Sequence, residues 1–182
     1  MAISSYDLGI GNDCPNFSLP SVDKKNYDLN SFSKSKGLLV AFICNHCPYV
    51  QAIEDRLLTL ARTYALEKIQ TIAVCSNDWH SYPEDTPENL HKRWQEKVYG
   101  FPYLLDETQQ VAKAFDAACT PDLYLYDQDR KLFYHGRLDD NWKDEKQVKN
   151  QDLKEAIEDL LAGKNSPSLQ HPTIGCSIKW KK

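Results

Sequence analysis

A length of 182 residues suffices to bury a sizeable core and predicts one domain over residues 1–182. The net charge of −4, with both signs spread along the chain, argues against a nucleic-acid partner, which requires a clustered basic surface. No apolar run approaches the roughly 20 residues that span a bilayer, and Met1 to Pro20 lacks a basic start followed by an apolar block, so no membrane partner is expected and a cytoplasmic location is.

Residues 1–16 carry Gly9, Gly11, Asn12 and Pro15 and read as an irregular lead-in. Phe17-Ser18-Leu19 and Tyr27-Asp28-Leu29 read as short strands around the polar turn Asp23-Lys24-Lys25-Asn26. Gly37 to Ile43 is an unbroken apolar run, which suits a core strand covered on both faces. Cys44-Asn45-His46-Cys47-Pro48 follows. Val50, Ile53, Leu57, Leu60, Ala61 and Tyr64 then recur at helical spacing, to about Leu66. A CxxC where a buried strand hands over to a helix reads as a redox dithiol. Two intervening residues let the second sulfur fold back towards the first. This placement sets Cys44 over the helix N-terminus, where free N–H groups and the macrodipole favour a thiolate, and tucks Cys47 into the first turn. Pro48 suits an early helical position, which has no N–H partner to lose.

Half of a zinc site is the plainer alternative for a CxxC. Zinc normally takes four ligands, as two such pairs or a pair plus HxxxH. Cys14, Cys75, Cys119 and Cys176 are single and scattered, and none of the five histidines forms an HxxxH pair. Redox use is the preferred reading, with no metal. In the expected cytoplasm six cysteines read as free thiols or redox centres and not as a disulfide framework.

Ile69 to Cys75 is the second core strand, and its separation from the first leaves room for a helical crossover. Both strands then end on one sheet edge, where open α/β sheets bind ligands. The loop Asn77 to Pro83 leaves from that edge, beside Cys44. Trp79 within it reads either as rim or as core. Thr86 and Pro87 suit the N-cap and first position of a helix whose buried side is Leu90, Trp94 and Val98. Phe101 to Leu105 is a short strand and Glu107 to Phe115 a short helix. Leu123 to Tyr126 and Lys131 to Tyr134 flank Asp127 to Arg130, which predicts an antiparallel hairpin. Residues 139–149 read as an exposed loop. Leu153, Ala156, Ile157, Leu160 and Leu161 give an amphipathic helix stopped by Gly163. A tail runs from about residue 164, and its basic end Lys179 to Lys182 reads as solvated.

This order, with Cys119-Thr120-Pro121 just before the hairpin, resembles the thioredoxin fold: an α/β architecture with a central mixed sheet flanked by helices. The chain resembles more closely the redoxin branch, which includes the AhpC/TSA (alkyl-hydroperoxide-reductase/thiol-specific-antioxidant, peroxiredoxin-like) group. That branch has the N-terminal β-hairpin and a strand-helix insertion before the proline. The resemblance covers roughly residues 14–163. A narrower set of thioredoxin-like proteins carries the motifs found at residues 44–50, 119–122, 136–140 and 175–180. The resemblance implies a cis-proline at Pro121 facing the CxxC, with Thr120 offering backbone groups to a substrate strand. Ile43 stands where thioredoxin has Trp, and Leu38 lies about where it buries an Asp. With Cys47 placed on the peroxidatic cysteine of peroxiredoxins, Val40 replaces their Pro, Cys44 their hydroxyl residue, and Pro121 their Arg. The disulfide-isomerase and periplasmic-oxidase branches place a His where His46 stands, which implies stabilisation of the Cys44 thiolate.

The reading is a thiol–disulfide oxidoreductase with Cys44 attacking, Cys47 resolving, His46 tuning, and Thr120, Pro121 and Trp79 binding substrate. It needs no cofactor. Its partners are a protein or small-molecule thiol or disulfide and a thiol electron donor. A peroxiredoxin-like thiol peroxidase with antioxidant activity is the first alternative. A non-catalytic module holding a metal with the CxxC, Cys119 and one His is the second. Cys119 reads as a buried thiol. Cys176 reads as packed under the tail, or as a third redox cysteine if the tail folds back. Arg137, Asp139 and Asp140 read as a local charge pair or a substrate rim.

Overall fold

The computed structural model describes residues 2–5 and 9–182. The strands are β1 (Ala2–Ser4), β2 (Ser18–Pro20), β3 (Asn26–Asp28), β4 (Gly37–Phe42), β5 (Ile69–Cys75), β6 (Tyr103–Leu105), β7 (Cys119–Thr120), β8 (Asp122–Tyr126), β9 (Leu132–Gly136) and β10 (Ile174–Ser177). The helices are α1 (Pro48–Ala65), α2 (Pro87–Glu96), α3 (Gln110–Ala114) and α4 (Asp152–Leu161). The central sheet has the order β6-β5-β4-β8-β9. β4 runs parallel to β5 and antiparallel to β8, and β5 runs parallel to β6. This is the mixed, helix-flanked thioredoxin-like fold that the sequence led us to expect. The β2–β3 hairpin and the β6–α3 insertion are both present.

β4 explains why its run is continuously apolar. Successive side chains of a strand point to opposite faces. Leu39, Ala41 and Ile43 join the core under α1 and α4. Leu38, Val40 and Phe42 join a second core with Phe17, Phe32 and Phe115. Both faces are covered, so no position tolerates a polar residue.

The face of α1 that carries Val50, Ile53, Leu57, Leu58, Ala61 and Tyr64 is buried. It also buries Glu54, whose carboxylate accepts from Arg93 Nε at 2.7 Å, Arg93 Nη2 at 2.6 Å and Tyr99 Oη at 2.7 Å. That fork pins α2 against α1. On α2 itself Leu90 is buried, but Trp94 is only half-buried, its Nε1 donating to Phe101 O at 2.8 Å. Val98 is 67% exposed, because α2 stops at Glu96 and Val98 has φ +51°. Thr86 stands at the N-cap without a capping side-chain hydrogen bond.

The two ends of the chain differ most from the sequence reading. β1 lies in the expected lead-in and pairs with β10, which pairs in turn with β7. The tail is therefore structured. Ser166 Oγ donates to Phe133 O at 2.6 Å, and Arg137 N to His171 O at 3.0 Å. A side chain on Gly136 would put its Cβ 2.3 Å from His171 O. Beyond β10, Lys179 N donates to Asn77 Oδ1 and Lys181 N to Gln109 Oε1, both at 2.8 Å. The basic end is held down by side chains the periodicity gave no reason to single out. In residues 139–149, Asp139 is buried and paired with Arg56. Of the lead-in, residues 1 and 6–8 lie outside the described residues.

Candidate functional site

α1 begins at Pro48, so Cys47 is the N-cap residue, in extended conformation (φ −78°, ψ 118°). Cys44, Asn45 and His46 form the loop before it. This differs by one step from the sequence reading, which placed Cys47 inside the first turn. A proline at the first helical position makes the preceding residue the cap. The anion-stabilising end of the helix thus falls on the second sulfur. No side-chain hydrogen bond caps the helix at Cys47, so the helix end acts on that sulfur through its dipole.

The two sulfurs meet Thr120 from β7. Cys44 Sγ and Thr120 Oγ1 are 3.3 Å apart, and the Cys47 thiol donates to Thr120 O at 3.0 Å when protonated. The Thr120–Pro121 bond is cis, as expected from the resemblance. Cys119 is buried, its thiol turned to Pro121 O at 3.6 Å.

The two thiols are shifted in directions opposite to the sequence expectation. Hydrogen bonding from Cys44 pulls the Cys47 thiol well below its ordinary value, against burial, with help from Val50 N–H, Thr120 and Cys176. The Cys44 thiol is pushed up, first by its hydrogen bond to Cys47, then by burial and the charge of Asp85. The direction at Cys47 agrees with its place at the helix N-terminus, where the dipole favours a thiolate.

His46 does not address Cys44 by a hydrogen bond. Its Nδ1 lies 2.6 Å from Asp85 Oδ2, and its ring stacks on Tyr82 with centroids 5.0 Å apart. Asp85 also accepts from Asn45 N at 2.7 Å, His46 N at 3.3 Å and Asn77 Nδ2 at 2.9 Å. Burial works against the Asp85 anion, yet the His46 ring, the Asn77 amide and the Asn45 N–H hold its carboxyl below the usual range. Asp85 is thus a clamp on the loop between the cysteines.

A model of the AhpC/TSA family matches residues 10–135. The chain belongs to that family. An uncharacterized conserved protein from Geobacillus kaustophilus is 43% identical, with a TM-score of 0.94 over 100% of this chain and 97% of that one. A hypothetical protein from Sinorhizobium meliloti 1021 is 42% identical, with a TM-score of 0.93 over 98% of each chain. The thioredoxin domain of a thiol-disulfide oxidoreductase from Bacteroides vulgatus is 18% identical, with a TM-score of 0.66 over 85% of this chain and 99% of that one, which shows the shared fold alone. No curated protein matches. Membership in the AhpC/TSA family makes redox chemistry at a cysteine the coarse function of the chain.

Within this AhpC/TSA chain, Cys44, Cys47, Thr120 and Pro121 come together as the sequence proposed. Trp79 is half-buried on its loop, with Lys181 Nζ 5.9 Å from its ring centroid, so the tail covers it. The edge of β7 expected to accept a substrate strand is paired with β10, Cys176 standing opposite Thr120. The metal set that includes Cys119 does not converge among the described residues. The group that does is Cys44, His46 and Asp85, with ligand atoms within 4.8 Å of one another. Both Asp85 oxygens are already engaged by N–H groups, which leaves that group poorly suited to an ion. Sequence reasoning missed Asp85 and left Cys176 aside. The signal for Asp85 was topological: its loop leaves the same sheet edge as Cys44. Asp139 and Arg137 turn out as ion pairs, with Arg56 and Asp152 respectively.

Proposed function

We propose that the protein is a thiol–disulfide oxidoreductase that cycles between a Cys44/Cys47 dithiol and a Cys44–Cys47 disulfide. The observation that carries this reading is Cys47 at the N-cap of α1 with both sulfurs gathered on Thr120, Cys44 Sγ 3.3 Å from its Oγ1 and Cys47 Sγ 3.0 Å from its O. The Cys47 thiolate attacks one sulfur of a substrate disulfide. The other substrate sulfur leaves as a thiolate and takes up a proton. Cys47 is then neutral, so Cys44 loses the acceptor that held its proton. Cys44 attacks Cys47, its proton passes to the second leaving sulfur, and the Cys44–Cys47 disulfide forms. The substrate gains two electrons and the dithiol loses two. The sequence runs backwards when a dithiol substrate is oxidised. The sulfurs carry the electrons, and no cofactor is required. The substrate is a thiol or disulfide, and a second thiol serves as electron donor. The proposed compartment is the cytoplasm, since six free thiols need reducing surroundings; no described helix is long and apolar enough to cross a membrane.

Thiol peroxidase activity is the weaker reading. The resemblance puts Pro121 where peroxiredoxins aim an arginine at the peroxide, and such donors supply a large part of transition-state stabilisation.

Alkylation of the reduced protein across pH, followed by peptide mapping, tests the assignment of the thiolate. A thiolate persists above its own pKa and is lost below it. Cys47, lowered to about 4, stays reactive in mildly acidic buffer while Cys44 stays protonated. Preferential labelling of Cys44 there would return the attacking role to the first cysteine. A stable thiolate at Cys47 also favours the reduced form, so the couple sits above thioredoxin's roughly −270 mV.

A further inference from the structure

The tail brings a third sulfur to the dithiol. β10 runs antiparallel to β7, with Cys176 opposite Thr120 and Ser177 opposite Cys119, and Ile178 N donates to Ala118 O at 3.0 Å. The approach is close: a Cβ on Gly175 would stand 2.1 Å from Thr120 O. Cys176 thus stands opposite the residue whose carbonyl oxygen lies 3.0 Å from Cys47 Sγ, and the two thiols are near enough for each to shift the other. Cys44 and Cys47 are 1% and 0% exposed, so a sulfur from solution reaches them only when their cover opens. Of the six cysteines, Cys176 alone is not buried.

We propose that Cys176 is a third redox-active cysteine, which attacks Cys47 of the Cys44–Cys47 disulfide and relays exchange between that buried pair and thiols in solution. The proposal rests on the Cys44/Cys47 reading above. In the first step Cys176 gives up its proton and its sulfur bonds to Cys47. The Cys44–Cys47 bond breaks, and Cys44 leaves with the electron pair and takes up a proton. No electrons enter or leave the protein. In the second step a small-molecule or protein thiol attacks the Cys176 sulfur of the Cys47–Cys176 disulfide. Cys47 leaves as thiolate, and the more acidic sulfur is the better leaving group. A second equivalent of that thiol releases Cys176 and forms the external disulfide. The net result is one disulfide reduced and two external thiols oxidised.

The surroundings time this step. In the reduced protein burial pushes the Cys176 thiol up to about 11, and the hydrogen bond and charge of Cys47 add to that. Once Cys47 is bonded to Cys44 its charge is gone. Burial, still the largest influence, is then opposed by the charge of Lys179 with nothing added by Cys47. The third thiol is therefore more acidic when the dithiol is oxidised than when it is reduced.

The test is to treat the Cys44→Ser protein with diamide, quench it by alkylation and map its disulfide peptides. A peptide joining Cys47 to Cys176 is expected as the main product. Wild type and Cys176→Ser are then poised against a glutathione series. Both should form Cys44–Cys47, and Cys176→Ser should be reduced at least about tenfold more slowly, having lost a positioned intramolecular nucleophile. Diamide treatment that leaves Cys47 joined to Cys119, or to no protein thiol, together with unchanged reduction of Cys176→Ser, overturns the relay alone. Absence of Cys44–Cys47 from wild type at every potential overturns the dithiol reading beneath it.

Discussion

Two buried histidine–aspartate pairs can be set side by side. His46 Nδ1 lies 2.6 Å from Asp85 and His135 Nε2 lies 2.7 Å from Asp122. Each ring stacks on a tyrosine, His46 on Tyr82 at 5.0 Å and His135 on Tyr124 at 4.2 Å. Their surroundings differ. The His135 side chain is 3% exposed in the hairpin core, and its partner Asp122 also accepts from Tyr124 Oη at 3.0 Å. The His46 side chain is 17% exposed, its Nε2 has no protein partner among the described residues, and its Asp85 raises the neighbouring Cys44 thiol. The same pair of residue types is a beam in one place and a field source in the other. What separates them is which sulfur feels the charge: Asp122 raises the buried Cys119 thiol, outside the pair, and Asp85 raises Cys44 within it.

The sharpest way to break this contrast is Asp122→Ala. It strands His135 in the core and should cost about 3 kcal/mol or more of stability in urea unfolding, with the disulfide couple unmoved. A wild-type midpoint would show that the hairpin pair is not a beam. Asp85→Asn should cost less, about 1–2 kcal/mol, because the amide oxygen can keep part of the N–H contacts. Here the telling readout is thiolate absorbance: the Cys44 titration should move to lower pH once the Asp85 charge is gone. An unmoved titration would mean that Asp85 acts on the loop only as a clamp.

His46→Ala is expected to leave the Asp85 charge uncompensated and so to disfavour the thiolate. The couple should shift to a lower potential by on the order of 30 mV, equivalent to about 1.4 kcal/mol for two electrons. Equilibration with glutathione measures it, and the Asp85→Asn/His46→Ala double variant should recover most of the shift. The smallest effect belongs to Tyr82→Leu, which removes the stack on His46 at a cost of about 0.5 kcal/mol. A thermal melt would resolve it, and a larger loss than that of Asp85→Asn would reverse the assigned ranking.

The core of the fold was legible because its signals are local. The apolar run of β4, the helical spacing of α1 and α4, and the turn between β8 and β9 each declare themselves within a dozen residues. Pro48 also declared the helix start, but the reading placed Cys47 one position too far in, inside the first turn and not at its cap. Asp85 was not legible, since its partners between the two cysteines stand 39 and 40 residues away in sequence. The tail was not either. β10 is only four residues long, and its partners are at opposite ends of the chain, Ala2–Ser4 and Cys119–Thr120. A strand that short has no periodicity to read. Its Cys176 could be named as a redox candidate only on the condition that the tail folds back, which it does.

Gly175 lets this arrangement be recognised from letters alone. Any side chain there would collide with the Thr120 carbonyl, 2.1 Å from the position of its first carbon. A chain in which the residue before the tail cysteine is anything but glycine cannot lay its end along β7 in this register, however well the rest of its sequence agrees. The dipeptide Gly-Cys near the end of such a chain therefore works as a spelling test for a capped dithiol. Where the glycine is missing, the sulfurs should lie open and exchange directly with their substrates.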